Sequence, residues 1–369
     1  MALAALGGRT SFHELTVVDR THASVDGESL AITFGVPPAL REVFAFTAGQ
    51  HVTLRAFVNG TEVRRSYSVC STPAELRDHG TMRVGVRLLP GGVFSGYAAR
   101  ELSAGTTVDV LPPLGNFVRS PSPRRRSRYA AIAAGSGITP VLALVTTALA
   151  TNPECTFAVV LGDRTAASTM FADELADLKD RYPDRFALTR LFSRERLEVG
   201  LAATHLDAPT LDGLLADLLT VATVDQWFTC GPYEVVEQVR RALASRGVPP
   251  EAVHGELFHA GPVEATAAPP PPARDGAAYV LSVRLDGRTT EVRGDPDSSL
   301  LDAALVARPE LPYSCRTGVC GTCRVRVVDG VARMPATWTL SERERAEGYV
   351  LACRATPESD RVTVDFDVT

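Results

Sequence analysis

Four cysteines late in the chain, Cys315, Cys320, Cys323 and Cys353, constrain it more than any other feature. Their spacing is C-x4-C-x2-C, followed after twenty-nine residues by the fourth. That is the plant-type spacing for a [2Fe–2S] cluster, in which soft thiolates complete two tetrahedral, sulfide-bridged irons. Ser314, Gly318, Gly321 and Thr322 are small, so the loop can wrap closely and aim backbone N–H groups at the sulfurs. Such hydrogen bonds stabilise the reduced, more negative cluster. A structural zinc site with four cysteine ligands is the alternative, although zinc sites more often show two C-x2-C pairs. The chain has 7 cysteines in all, an odd number, and only the three of the loop and Cys353 crowd together near the chain's end. That is not a secreted disulfide framework, and the chain reads as cytoplasmic. Cys155, near the start of a predicted strand, reads as a small core hydrophobe.

The 369 residues leave room for two to three domains. A composition of 45% hydrophobic and 22% charged residues is that of a globular protein. The formal net charge of -5 argues against a general nucleic-acid binder, which needs a basic face. The basic run Arg124–Arg128 reads as a solvated loop, with a docking patch for an acidic partner or a cofactor as the sharper alternative. No run of about eighteen apolar residues occurs, so no membrane span is expected. The apolar start Met1–Leu6 is shorter than a signal h-region.

The clearest boundary is 259–278, which has no periodic apolar face and carries four consecutive prolines at 269–272. Such a run favours an extended, semi-rigid spacer. Residues 1–10 read as a disordered start. Residues 11–121 hold short alternating runs punctuated by Asn59-Gly60 and Pro90-Gly91-Gly92, which predict a small antiparallel β-barrel. Residues 122–258 alternate strand-like and helix-like stretches, including a helix over 168–182, and predict an α/β parallel sheet. Residues 279–369 read as strand, Asp286-Gly287 turn, strand, helix, cysteine loop and closing strands, the order of a β-grasp domain.

Three further clusters carry chemistry. Arg65, Tyr67 and Ser68 lie on a predicted barrel strand, where an arginine can pair with a pyrophosphate and an aromatic ring can cover an isoalloxazine. Gly92, Phe94 and Ser95 open a predicted helix, whose free N–H groups attract phosphate. Together they make a flavin site. Gly135-Ser136-Gly137-Ile138-Thr139-Pro140 is a glycine turn running into a helix start, but it lacks the third glycine of the dinucleotide fingerprint. Cys230-Gly231-Pro232 repeats that logic at the end of a later strand, where ligands of such sheets bind. Cys230 reads either as a neighbour of a nicotinamide ring or as a buried structural thiol.

In this order, Arg65-x-Tyr67-Ser68, Gly135-x-Gly137-Ile138-Thr139-Pro140, Cys230-Gly231-Pro232 and the cysteine loop resemble ferredoxin–NADP reductase-type oxygenase reductases with a C-terminal ferredoxin domain. The resemblance covers nearly the whole chain from about residue 11. Within that family, Phe12–Thr16, Ala48–Leu54, Ala176–Arg185 and Gly348–Cys353 resemble the reductase subunits of multicomponent phenylacetyl-CoA 1,2-epoxidases. The likeness implies FAD on Arg65, Tyr67 and Ser68, with Val86, Gly92, Phe94 and Ser95 around its pyrophosphate and ribityl chain. It implies that Thr139 lies near both flavin and dinucleotide, and that Glu256 and Phe258 cap the flavin region. It sets Arg164, Ser193 and Arg194 at the adenosine 2′-phosphate, which favours NADPH over NADH. Asp163 departs from the expected asparagine, and a carboxylate there opposes a 2′-phosphate.

The expected activity is electron transfer from a nicotinamide through FAD and the [2Fe–2S] cluster to the oxygenase component of a mono-oxygenase or epoxidase. The cofactors supply the chemistry, so no side chain need act as general acid or base. The proline spacer suits a ferredoxin domain that moves between the flavin and that partner. The runner-up is the same reductase serving a Rieske-type aromatic or steroid hydroxylase. The rival from another class is a cofactor-free scaffold subunit.

Overall fold

A two-residue turn joins β-strands of the first sheet at Asn59-Gly60. In this computed structural model, which describes residues 11–119, 126–195, 205–258, 279–335, 337 and 339–368, Asn59 and Gly60 adopt φ of 51° and 77°. Both left-handed values suit the primed turn whose twist matches a hairpin. The sheet comprises β1 (His13–His22), β2 (Ser29–Gly35), β3 (His51–Val58), β4 (Thr61–Ser68), β5 (Thr81–Arg87) and β6 (Thr107–Leu114). They are antiparallel in the order β4-β3-β6-β1-β2-β5. A bridge between Val69 and Val84 brings the two edges together, giving the expected barrel. Helix α1 (Pro73–His79) has no counterpart in the strand-by-strand reading, although Thr72 and Glu75 form a capping box at its start. Helix α2 (Val93–Glu101) follows β5. Phe34, Phe44 and Phe94 are among the fully buried side chains of this barrel.

The second sheet is parallel throughout, as strand–helix alternation predicts. Strands β7 (Arg128–Ala134), β8 (Thr156–Asp163), β9 (Phe186–Phe192), β10 (Gln226–Gly231) and β11 (Val253–Leu257) run in the order β11-β10-β7-β8-β9. Helices α3 (Ile138–Thr151), α4 (Ala172–Arg181), α5 (Ala208–Gly213) and α6 (Tyr233–Ala244) connect them. The helix expected over 168–182 begins four residues late, because Phe171 takes a left-handed φ of 58° and its N–H donates to Ala23 O of the barrel at 2.7 Å. That tertiary bond overrides the apolar periodicity. The helical stretch before β10 is broken as well, into α5 and a π-type turn at Leu214–Leu218.

The third sheet contains β12 (Tyr279–Leu285), β13 (Arg288–Gly294), β14 (Arg324–Asp329), β16 (Tyr349–Leu351) and β18 (Arg361–Asp365), in the order β13-β12-β18-β14-β16. Short strands β15 (Ala332–Arg333) and β17 (Thr356–Pro357) pair separately. Asp286 and Gly287 repeat the primed turn, with φ of 52° and 69°. Helix α7 (Leu300–Ala307) is capped by Ser299, and α8 (Glu342–Ala346) by a Ser341–Glu344 capping box. Each such cap contributes about 1 kcal/mol. The first ten residues, Arg124 and Arg125 of the basic run, and the proline spacer lie outside the described residues.

Candidate functional site

The three sheets meet around one cleft of about 1560 Å³. Its barrel wall carries Arg65, Tyr67 and Ser68 from β4, and Gly92, Phe94 and Ser95 at the start of α2. Arg65 Nη1 donates to Arg64 O at 2.7 Å. The Tyr67 ring leans on Phe94 at 5.6 Å between centroids, and burial pushes its hydroxyl far above the ordinary tyrosine range. No side chain caps α2, so its first-turn N–H groups have no side-chain acceptor. Val86, expected around the pyrophosphate, does not line the cleft. It is wholly buried in the barrel core, while its neighbours Gly85 and Arg87 line the cleft. Successive strand side chains point to opposite faces, so the cleft takes the odd-numbered residues of β5 here.

The opposite wall is built from the carboxyl ends of the parallel strands. Gly135 and Thr139 follow β7, Gly231 ends β10 with Pro232 next to it, and Glu256 lies in β11 with Phe258 just beyond it. Thr139 Oγ1 donates to Ser136 O at 2.9 Å. Gly137 and Ile138 do not line the cleft; Ile138 packs in the sheet's core. Gly137 instead lets two strand ends touch. A Cβ there would lie 2.1 Å from Cys230 O, so only glycine allows the ends of β7 and β10 to approach so closely. Cys230 is likewise buried beneath the wall, and burial, reinforced by Glu256, pushes its thiol well above the ordinary range.

Glu256 joins the two walls. Its Oε2 accepts from Ser68 Oγ at 2.8 Å and from Cys230 Sγ at 3.9 Å, and its Oε1 lies 3.7 Å from His51 Nδ1 of β3. His51 was invisible to the sequence reading, since a lone histidine in a strand has no motif. Strand β11 was missed too, because His254-Gly255-Glu256 interrupts any apolar alternation.

At the far end, Arg164 Nη2 donates to Glu28 Oε2 at 2.8 Å, and Arg87 Nη2 lies 3.6 Å from buried Asp163. Ser193 lines the cleft, whereas Arg194 is exposed beside it and its N–H donates to Arg164 O at 2.9 Å. Burial pushes the Asp163 carboxyl up to about 6, against the pull of Arg87, the Thr169 hydrogen bond and Arg164 and with the push of Asp26. The folded chain therefore holds this proton more tightly than the unfolded one. Its stabilising effect is full below pH 4 or so and is lost as pH rises through about 6. Asp163→Asn is expected to raise unfolding stability at pH 8 by about 1–2 kcal/mol and to add nothing at pH 4, measured by urea unfolding at both.

The cluster loop closes the third side: Ser314, Cys315 and Cys320 line the same cleft. Among the described residues, no three cysteine, histidine or carboxylate side chains converge to hold a single metal ion. The thiols instead meet in pairs, Cys315 with Cys320 and Cys323 with Cys353. Two pairs suit two bridged irons, each taking two thiolates. Thr317 N–H donates to Cys315 Sγ at 3.4 Å, and the backbone of Cys320 and Gly318 reaches Cys315 and Cys353 respectively. His51 Nε2, Asp163 Oδ2 and Ser314 Oγ are buried without a protein partner, and all three residues face the cleft. Buried polar atoms of that kind call for a polar ligand.

Three family models tile the chain in the same order as the three sheets. The Oxidoreductase FAD-binding domain matches residues 14–118, the Oxidoreductase NAD-binding domain 131–241 and the 2Fe-2S iron-sulfur cluster binding domain 283–358. The chain is also 41% identical over 362 residues to the E subunit of 1,2-phenylacetyl-CoA epoxidase from Escherichia coli (strain K12), covering 97% of this chain and 98% of that one. It belongs to that family of oxygenase reductases. The 3-ketosteroid-9-alpha-monooxygenase ferredoxin reductase component of Rhodococcus rhodochrous is 32% identical over 92% of this chain and 93% of its own length. Phthalate dioxygenase reductase shares the fold at a TM-score of 0.56 and 20% identity, over 96% of this chain and 98% of that one. A type IV self-sufficient cytochrome P450 monooxygenase shares it at 0.69 and 23%, over 96% of this chain and 41% of that longer one. The reductase is an oxidoreductase that uses FAD, a nicotinamide dinucleotide and a [2Fe–2S] cluster, and serves an oxygenase system. Among the described residues no helix is long and apolar enough to cross a membrane.

Proposed function

We propose that this reductase takes a hydride from NADPH and delivers single electrons to the di-iron oxygenase component of a phenylacetyl-CoA 1,2-epoxidase. The observation that carries the reading is the convergence of the flavin motif, the nicotinamide loops and two cluster cysteines on one cleft. The end-to-end 41% identity to the epoxidase protein, against 32% to the steroid reductase, favours the epoxidase partner. When bound, FAD accepts the electron pair as hydride and releases it singly to the cluster, returning one proton to solvent.

In this reading the chain's own residues bind, orient and shield. Arg65 and the uncapped start of α2 hold the FAD pyrophosphate, Tyr67 covers the ring system and Ser68 bonds its edge. Phe258 caps the flavin until the nicotinamide enters. Gly135, Thr139, Gly231 and Pro232 shape the dinucleotide wall, while Gly137, Ile138 and Cys230 support it from beneath. Cys315, Cys320, Cys323 and Cys353 hold the irons, and thiols kept for iron fit the reducing cytoplasm. Arg164, Ser193 and Arg194 take the 2′-phosphate, with Asp163 opposing it. The same Asp163→Asn variant is accordingly expected to lower KM for NADPH and leave that for NADH unchanged. Residues 11–121, 122–258 and 279–369 are the three domains, tethered through 259–278.

Reconstitution tests the partner. Purified reductase with NADPH, an epoxidase oxygenase component and phenylacetyl-CoA is expected to turn over. Turnover only with the oxygenase of a 3-ketosteroid hydroxylase would overturn the epoxidase assignment and leave the reductase class standing.

A further inference from the structure

Neighbouring arginines of β4 point to opposite sides, as strand geometry requires. Arg65 faces the cleft, whereas Arg64 runs into the ferredoxin domain and is 3% exposed. Its Nη1 donates to Leu311 O at 2.8 Å and its Nη2 to Pro309 O at 3.3 Å. Nε donates to Glu62 Oε1 at 2.8 Å, and that same oxygen accepts from Tyr313 Oη at 3.1 Å. The guanidinium carbon also sits 3.9 Å above the Tyr313 ring. Arg64 thus grips the backbone that leads directly into Cys315. On the same face, Thr53 Oγ1 lies 3.2 Å from Thr322 Oγ1 of the cluster loop and 3.1 Å from Ser66 Oγ. A buried arginine sharing two carbonyls, a carboxylate and an aromatic face with another domain is a geometric clamp that lysine cannot copy.

Resting on the reductase reading above, we infer that Arg64 is a positioning residue: it seats the ferredoxin domain on the barrel so that the cluster loop stays at the flavin cleft. It touches no cofactor in this role and leaves the electron count unchanged. Without the clamp, the docked arrangement forms a smaller fraction of the population, and the apparent rate of the step that needs it falls by that fraction.

The test uses the complete holoprotein and its Arg64→Ala, Arg64→Lys and Thr53→Val variants. Anaerobic stopped-flow absorbance separates flavin bleaching by NADPH from reduction of the cluster. Hydrogen–deuterium exchange reports the amides of 309–323 independently of activity. Arg64→Ala is expected to bleach flavin at the parental rate, reduce the cluster roughly tenfold more slowly or worse, and exchange faster over 309–323. Arg64→Lys should stay slow, because one ammonium cannot replace the fork. Parental cluster reduction with parental exchange would overturn the inference, as would equal slowing of both steps, which marks Arg64 as a support of the barrel alone. Should Arg64→Ala lose flavin on purification, Thr53→Val decides. The expected result is a loss of about fivefold confined to cluster reduction, and no loss overturns the inference. Absence of flavin and iron absorbance from the parent protein would instead sink the reductase reading itself.

Discussion

Cys315→Ser is expected to yield a yellow protein that still accepts hydride but cannot pass electrons on. Serine offers a hard oxygen where the site needs a soft thiolate. Cys315 also meets Cys320 as one of the two thiol pairs and receives N–H donors from Thr317 and Cys320, so its loss undoes an organised ligand set. Changing outer-shell partners alone commonly costs 10–100-fold, so removal of a ligand should lower delivery to the oxygenase on the order of a hundredfold or more. Flavin bleaching by NADPH should persist, because the β4 and α2 residues assigned to the flavin draw nothing from the cysteine loop. Iron content, visible absorbance and oxygenase-coupled turnover check this together. Retention of the full iron spectrum with parental turnover would remove Cys315 from the ligand set.

Gly137→Ala is expected to produce the second large effect, at the opposite end of the relay. The new Cβ would lie 2.1 Å from Cys230 O and 2.5 Å from Cys230 C, backbone atoms that cannot rotate away. The ends of β7 and β10 must separate, and both carry loops of the dinucleotide wall. A misplacement of about 1 Å at such a site commonly costs about a hundredfold in rate. Flavin bleaching by NADPH should therefore fall by roughly that factor while bound FAD is retained, since the barrel is untouched. The cluster should still be reduced normally by dithionite. A parental bleaching rate would show that the two strand ends tolerate separation.

These two sites differ in how openly the sequence declared them. The cysteine spacing is a covalent requirement written in consecutive residues, and the barrel and parallel sheet announce themselves through periodicity and through Asn59-Gly60 and Asp286-Gly287. Ser299 and Ser341 likewise mark their helices by local hydrogen bonding. What stayed hidden depends on tertiary contact. Phe171 leaves helical geometry only because its N–H reaches Ala23 O. Glu256 and His51 acquire meaning only when β11 is laid beside the barrel. Arg64 resembles any charged residue of a strand until Leu311 and Pro309 are brought over it. Val86 and Arg87 were separated by one residue of strand phase, a distinction that only the observed pleat supplies.

The pairing of β12 with β18 sets an order in time. These strands run parallel in the third sheet, with β18 at its centre, although nearly the whole ferredoxin domain separates them in sequence. During synthesis the barrel and the nicotinamide sheet are complete in sequence long before Arg361–Asp365 is made. The ferredoxin sheet must wait for those residues, and contacts of such long range form slowly. Until then Cys315, Cys320 and Cys323 are thiols on a loop without its framework. Seating of the iron therefore waits on Arg361–Asp365, and a chain interrupted before Arg361 would keep the barrel and the parallel sheet but lack the central strand of the sheet that frames the cysteine loop.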